Sequence, residues 1–177
     1  MLVHWASGAV GIAALQIAAP LGLTITGTAG SERGLALVVE HGAANVLDHT
    51  QPGYLNKVAE LTRGRGPDII LEMLANANLA EYIEIVAPFG RIVVIGSWGA
   101  VEINPRQTMM KDLSIISMAL PNTPAGDMAV IHTALGRGLT VGSLRPVAGW
   151  ELPLADAFEA HQVVMRPGAH GKIVLFP

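Results

Sequence analysis

Short apolar runs alternate along this chain with longer amphipathic stretches, and that alternation restricts the fold more than any other feature. "LTITGTA", "DIILEML", "RIVVIGS" and "KIVLF" are apolar on both faces, as strands buried from both sides must be. Glycine, proline or asparagine separates each run from the stretch that follows. The pattern predicts strands near 1–5, 23–29, 45–48, 68–73, 91–96 and 113–120, and helices near 9–20, 31–41, 53–63, 77–87 and 124–136. The tail adds a helix near 154–165 and a strand near 172–176. Pro20 ends the first helical pattern and Gly42 closes the second. Strand alternating with helix through right-handed crossovers gives a parallel sheet covered on both faces. The expected fold class is therefore α/β, a doubly wound parallel sheet of Rossmann type. At 177 residues the chain is sized for one such domain, spanning 1–177.

Composition removes several function classes. No run approaches the roughly 18 apolar residues of a membrane span, and no basic segment followed by an apolar one precedes the first motif, so a soluble, untargeted protein is expected. A net charge of −3 without a Lys/Arg cluster leaves nothing on which to build a nucleic-acid footprint. The absence of cysteine removes disulfides and thiolate metal sites and suits a cytoplasmic setting. His4, His41, His49, His132, His161 and His170 show neither H-E-x-x-H nor any paired ligand spacing, so no metal site is expected.

Ala6-Ser7-Gly8-Ala9-Val10-Gly11 occupies the places of G-x-G-x-x-G, with alanine at the first glycine, a strand before it and a helix after it. In such a turn Gly8 lets backbone approach a pyrophosphate, and Gly11 lets the helix press on the strand. The helix start then offers its free N–H groups to the anion. A ligand-free strand-to-helix turn is the other reading of the same residues. Further on, the second strand ends in Thr28-Ala29-Gly30-Ser31-Glu32-Arg33. No carboxylate sits at the strand tip to take a ribose hydroxyl, while Ser31 and Arg33 could receive a 2′-phosphate, which favours NADP over NAD. Glu32 lies close by, and Arg33 reads equally as a solvated first-turn side chain.

Other chemistries find less support. Ser7 lacks both flanking glycines of G-x-S-x-G, and no G-K-[ST] follows the glycines as a P-loop requires. A domain binding S-adenosylmethionine would want an acidic residue at the end of strand two. Arg106 in "NPRQTM" reads either as a substrate contact or as a surface arginine capping a short helix, and Met109, Met110 and Met118 as core or interface filler.

"LVHWASGAVG", "GLTITGTAGSERG", "EMLANANL", "GRIVVIGSWG" and "EINPRQTM" together resemble the zeta-crystallin-like NADPH:quinone oxidoreductases of the medium-chain dehydrogenase/reductase superfamily, and the likeness runs on to "AHGKIVLF". The resemblance implies NADPH along the carboxyl ends of the strands and a quinone or enone as hydride acceptor. It implies cofactor contacts from Ser7, Gly8, Ala9 and Val10 with Gly11 closing the turn, then from Gly30, His49 and Asn78. Ile95, Gly96, Ser97 and Trp98 follow the fifth strand in the same role. It identifies no catalytic residue, and no metal or covalent nucleophile is needed. From the residues alone His49 is a loop histidine, and Asn78, like Asn76, a helix N-cap. Association through "LSIISMAL" at 113–120, read as the outer strand, implies a homodimer.

Departures from the family pattern raise a second expectation. Trp5 stands where the family has glycine, Ala9 replaces the middle glycine of G-G-V-G, and Trp98 interrupts what is otherwise "GSRG". Either the Trp5 indole fills space that the cofactor uses or the site accommodates it. Family members also carry a separate GroES-like catalytic lobe, which is absent from 1–177. Hydride transfer needs a shielded, aligned pair of reactants, so little activity is expected of these residues alone. The alternative reading is a non-enzymatic or engineered Rossmann scaffold whose pocket Trp5 and Trp98 have altered.

Overall fold

The computed structural model describes residues 1–166, 168 and 170–177. In chain order its elements are β1 (Leu2–Val3), α1 (Ala9–Ala18), β2 (Thr26–Ala29), α2 (Glu32–Glu40), β3 (Asn45–Asp48), α3 (Tyr54–Leu61), β4 (Ile69–Glu72) and α4 (Ala75–Ile85). There follow β5 (Arg91–Val94), α5 (Pro105–Met109), β6 (Ser114–Ser117), α6 (Ala125–Thr140), β7 (Ala148–Pro153), α7 (Ala157–Val164) and β8 (Lys172–Phe176). Strand and helix alternate and the paired strands run parallel, so the class is α/β with a Rossmann-type parallel sheet. The chain divides into two compact units, 1–4 with 51–134, and 5–50 with 135–177.

In the first unit β1, β4, β5 and β6 lie side by side in that order. Their register sets Leu2, Ile70, Ile92 and Ile115 in one row and Val3, Leu71, Val93 and Ile116 in the next. Leu2, Val3, Ile70 and Ile92 are fully buried, each burial stabilising by about 1.5–3 kcal/mol. At the open edge β6 is exposed along its length. Helix α4 adds Leu79, Tyr82 and Ile83 to the core. Its C-terminal carbonyls are gathered by Lys111, whose Nζ donates to Ile83 O (3.1 Å), Val86 O (2.9 Å) and Glu84 O.

In the second unit β2 and β3 pair from Thr26 with Asn45 to Ala29 with Asp48. Ile12, Leu15 and Val38 are buried from α1 and α2. A two-way amide clamp fastens α1 to the later chain: Gln16 Nε2 donates to Arg145 O (2.9 Å), and Arg145 N donates to Gln16 Oε1 (2.7 Å). β7 and β8 form a separate parallel pair. Just before β8, Gly171 N–H donates to Ser7 O (3.2 Å), joining the chain's end to the glycine turn.

The structure corrects several expected boundaries. β1 stops at Val3 instead of reaching residue 5, because the backbone turns there and Trp5 adopts φ +49°. α1 ends at Ala18, with Pro20 in a 3-10 turn over Ala19–Leu21. α4 starts at Ala75 rather than 77, and β6 covers 114–117 rather than 113–120. α6 runs through Gly136 and Gly138 to Thr140, past the end expected near 136. β7 was not expected at all. Met109 and Met110 are each 74% exposed, which removes them from the core. Among the described residues no helix is long and apolar enough to cross a membrane.

Candidate cofactor site

The residues expected to contact a cofactor fall into two groups, one in each unit. The first begins at the turn between β1 and α1. Ala6 N–H donates to Thr28 O (2.7 Å), Trp5 N–H to Thr28 Oγ1 (3.2 Å) and Gly8 N–H to Trp5 O (3.2 Å). This turn puts position 5 in the left-handed region, at φ +49°, which glycine adopts without strain. Trp5 accepts that conformation at a cost of about 1–2 kcal/mol. Its ring centroid lies 6.4 Å from that of His49 at 42°, too tilted for stacking.

Helix α1 opens at Gly8 with no side-chain cap. Among the described residues no side chain caps the first-turn amides of Ala9, Val10 and Gly11, and the Gly8–Gly171 bridge turns the Ala9 N–H toward Gly171 O, at a helix start where the dipole favours an anion. The two glycines have different tasks. A Cβ built on Gly11 would lie 2.5 Å from Ala6 Cα, so Gly11 permits backbone to pack on backbone. Among the described residues a Cβ on Gly8 would meet only Trp5 O, at 3.5 Å, so they leave the space beside Gly8 open. Val10 turns its side chain outward and offers only its backbone.

Around the start of α2 the structure gathers Ser7, Gly30, Ser31, Arg33 and His49. Ser31 is the N-cap of α2, and its Oγ accepts from Gly34 N–H (3.2 Å). A Cβ on Gly34 would lie 3.0 Å from Ser31 Oγ and 3.1 Å from Ser7 Oγ, which puts both hydroxyls at the same helix start. A Cβ on Gly30 would lie 2.9 Å from His49 Nε2, so the imidazole borders that glycine. His49 Nδ1 sits 3.2 Å from Thr28 Oγ1, and burial lowers the ring's pKa while Asp48 opposes the shift. Arg33 is exposed in the first turn of α2, and its charge adds to burial in lowering the pKa of His170. Thr28, fully buried, orients both Trp5 and His49 and was missed from sequence. Its only signal was a hydroxyl inside an apolar strand.

The second group lies between the ends of β4 and β5. Neither Asn76 nor Asn78 caps α4, since the N-cap is Leu74. Asn76 Oδ1 accepts from Trp98 N–H (2.9 Å), tying the segment after β5 to the helix start. Ile95 N–H donates to Glu72 O (2.9 Å) and Gly96 N–H to the same oxygen (3.3 Å), while Gly96 O accepts from Ala75 N–H (2.9 Å). A Cβ on Gly96 would lie 2.4 Å from Met73 O. Ser97 Oγ donates to Gly99 O (3.0 Å), and Trp98 is 74% exposed.

Asn78 Nδ2 is held by Glu72 Oε1 (3.3 Å), Leu74 O (3.3 Å) and His4 Nε2 (3.2 Å). Glu72 Oε1 also accepts from Leu74 N–H, while the buried Oε2 has no hydrogen-bond partner among the described residues. Burial pushes the Glu72 carboxyl above the usual carboxylate range, with the Leu74 N–H and the Asn78 amide pulling the other way. A raised value means that the folded state keeps a proton the unfolded chain releases. The associated stability is complete below the ordinary glutamate value of 4.5 and is lost as pH rises through the folded value. Glu72→Gln is therefore expected to unfold at higher urea than the parent at pH 8, with the gap closing toward pH 4. An equal gap at both pH values would contradict this assignment.

The chain has no cysteine, and among the described residues no three His, Asp or Glu side chains are grouped to hold a metal ion.

Residues 9–134 match the family described as zinc-binding dehydrogenase. Quinone oxidoreductase of Homo sapiens is 43% identical over 176 residues, which cover 99% of this chain and 54% of the human protein. The chain thus spans about half the length of the curated relatives it matches. Among solved structures, an NAD-dependent alcohol dehydrogenase is similar over 99% of this chain and 50% of its own, with TM-score 0.88 and 30% identity. A quinone oxidoreductase of Escherichia coli complexed with NADPH superposes at TM-score 0.90 over 99% of this chain and 56% of its own. At 23% identity that likeness speaks for the fold alone.

Proposed function

Because the chain belongs to the zinc-binding dehydrogenase family, we propose that it is the NADPH-binding domain of a quinone oxidoreductase. The space that the described residues leave open beside Gly8, at a helix start that none of their side chains caps, is the observation that carries this reading. When bound, NADPH supplies a hydride, and the acceptor is a quinone or an enone. The amides of Ala9, Val10 and Gly11, beside Ser7 and Gly8, hold the diphosphate. Ser31 and Arg33 take the 2′-phosphate, where a guanidinium forms paired charge-assisted hydrogen bonds. Gly30 and His49 border that position. Asn78 and the segment Ile95, Gly96, Ser97 and Trp98 contact the nicotinamide half. The setting is cytoplasmic, and the exposed edge strand β6 pairs two copies into a homodimer.

Titration with NADPH, followed by tryptophan fluorescence, tests the reading. Saturable quenching with preference for NADPH over NADH is expected, and Arg33→Ala should reduce that preference about tenfold, the loss of one charge-assisted contact. No response to either nucleotide would favour a scaffold whose pocket Trp5 and Trp98 have altered. Equal affinity for the two would remove the role given to Ser31 and Arg33.

A further inference from the structure

A continuous hydrogen-bonded chain runs through the first unit and ends on Asn78. Tyr54 Oη lies 3.1 Å from Tyr82 Oη, Tyr82 Oη 2.6 Å from His4 Nδ1, and His4 Nε2 3.2 Å from Asn78 Nδ2. Tyr82 is fully buried and His4 is 3% exposed, so neither polar group can exchange its partner for water without cost. The two rings also meet edge to face, with centroids 5.7 Å apart at 68°.

The direction of this chain follows from its acceptors. Glu72 Oε1 and Leu74 O both border Asn78 Nδ2, and both can accept there, so the amide nitrogen belongs on that side. His4 Nε2 faces the same NH2 group, whose two hydrogens are shared among three acceptors, and an accepting Nε2 is the tautomer this arrangement favours. In that tautomer the imidazole proton sits on Nδ1 and is donated to Tyr82 Oη, whose own hydroxyl donates to Tyr54. None of these contacts uses Asn78 Oδ1.

We propose that His4 and Tyr82 are positioning residues that lock the Asn78 carboxamide, leaving Oδ1 as the acceptor for a hydroxyl or amide N–H donor of the dinucleotide. This rests on the NADPH reading for the identity of the ligand, but the locked amide is a property of the protein without ligand. If the His4 proton moved to Nε2, that nitrogen would confront the Asn78 NH2 group. The amide would then flip and present a donor where the ligand needs an acceptor.

Two measurements test this. In ligand-free protein, nitrogen NMR of the imidazoles, with His4→Gln to assign the signal, should find His4 protonated at Nδ1. A proton on Nε2 would overturn the proposal. The second is a double-mutant cycle on NADPH affinity. Tyr82→Phe, which removes only the hydroxyl, should weaken binding about tenfold when Asn78 is present and leave it unchanged within about twofold in the Asn78→Ala background. Equal losses in both backgrounds would show that Tyr82 acts on the fold and not through Asn78, and would overturn it too. If the parent protein binds no NADPH, the cofactor reading fails, and the imidazole measurement alone decides whether the amide is locked. The same measurement decides should Tyr82→Phe fail to fold.

Discussion

Gly11→Ala is expected to destabilise the protein by about 3 kcal/mol or more, while Gly8→Ala, three residues away, leaves the fold standing and abolishes dinucleotide binding. The contrast follows from what each new methyl would meet. At Gly11 it would lie 2.5 Å from Ala6 Cα and 2.7 Å from both Ala6 C and O. Those are backbone atoms, so no side chain can swing aside, and α1 must move off the turn that holds it. Alanine gains about 1 kcal/mol over glycine inside a helix, which is too little to offset such a clash. At Gly8 the backbone angles of φ −75° and ψ 168° suit any residue, and the nearest atom among the described residues is Trp5 O at 3.5 Å. The methyl enters open space, and that space is where the diphosphate is proposed to lie. Urea unfolding and NADPH titration of both variants separate the effects. A Gly8→Ala protein that binds NADPH like its parent would place the diphosphate elsewhere, and a Gly11→Ala protein as stable as its parent would show that the turn yields.

Much of this architecture was legible in sequence because buried parallel strands leave an unmistakable apolar run. β3 at 45–48 and β8 at 172–176 fall where their residues predicted. Boundaries failed where a local signal was overridden. The helix expected near 124–136 runs on to Thr140 through Gly138, which leaves room for Leu144, whose side chain lies 2.6 Å from where a Cβ would be. β7 escaped notice because "AGWELP" mixes glycine, proline and charge and is largely exposed, so no apolar run announces it. The glycine turn could be placed, but its left-handed bend at Trp5 could not, since tryptophan gives no hint of φ +49°. The chain from Tyr54 to Glu72 was beyond reach for a different reason. His4 and Tyr82 are 78 positions apart, and only the fold brings a histidine from β1's end against a tyrosine of α4. A lone histidine therefore looked like one of six without a pattern.

Lys111→Met is expected to lower the unfolding temperature by about 5 °C, the equivalent of about 2 kcal/mol for a chain of this size. Methionine keeps the apolar stem and removes only the ammonium group. That group donates to Ile83 O (3.1 Å), Val86 O (2.9 Å) and Glu84 O, three carbonyls at the C-terminal end of α4. The last carbonyls of a helix have no partner within it, and a cation there also meets the negative end of the helix dipole. Burial works against the charge, lowering the Lys111 pKa, while Glu84 supports it. The balance still favours the contact, because hydrogen bonds to a charged donor contribute about 1.5–3 kcal/mol each before desolvation is subtracted. Helix α4 carries Asn76, Asn78 and Tyr82, so loosening one end of it also tests how rigidly the other is held. In Lys111→Met, hydrogen exchange at Val86 and Ala87 should quicken, while the Asn78 side-chain amide, anchored by Glu72 and His4, keeps its protection. An unfolding temperature within about 1 °C of the parent would mean that water caps these carbonyls as well as the lysine does.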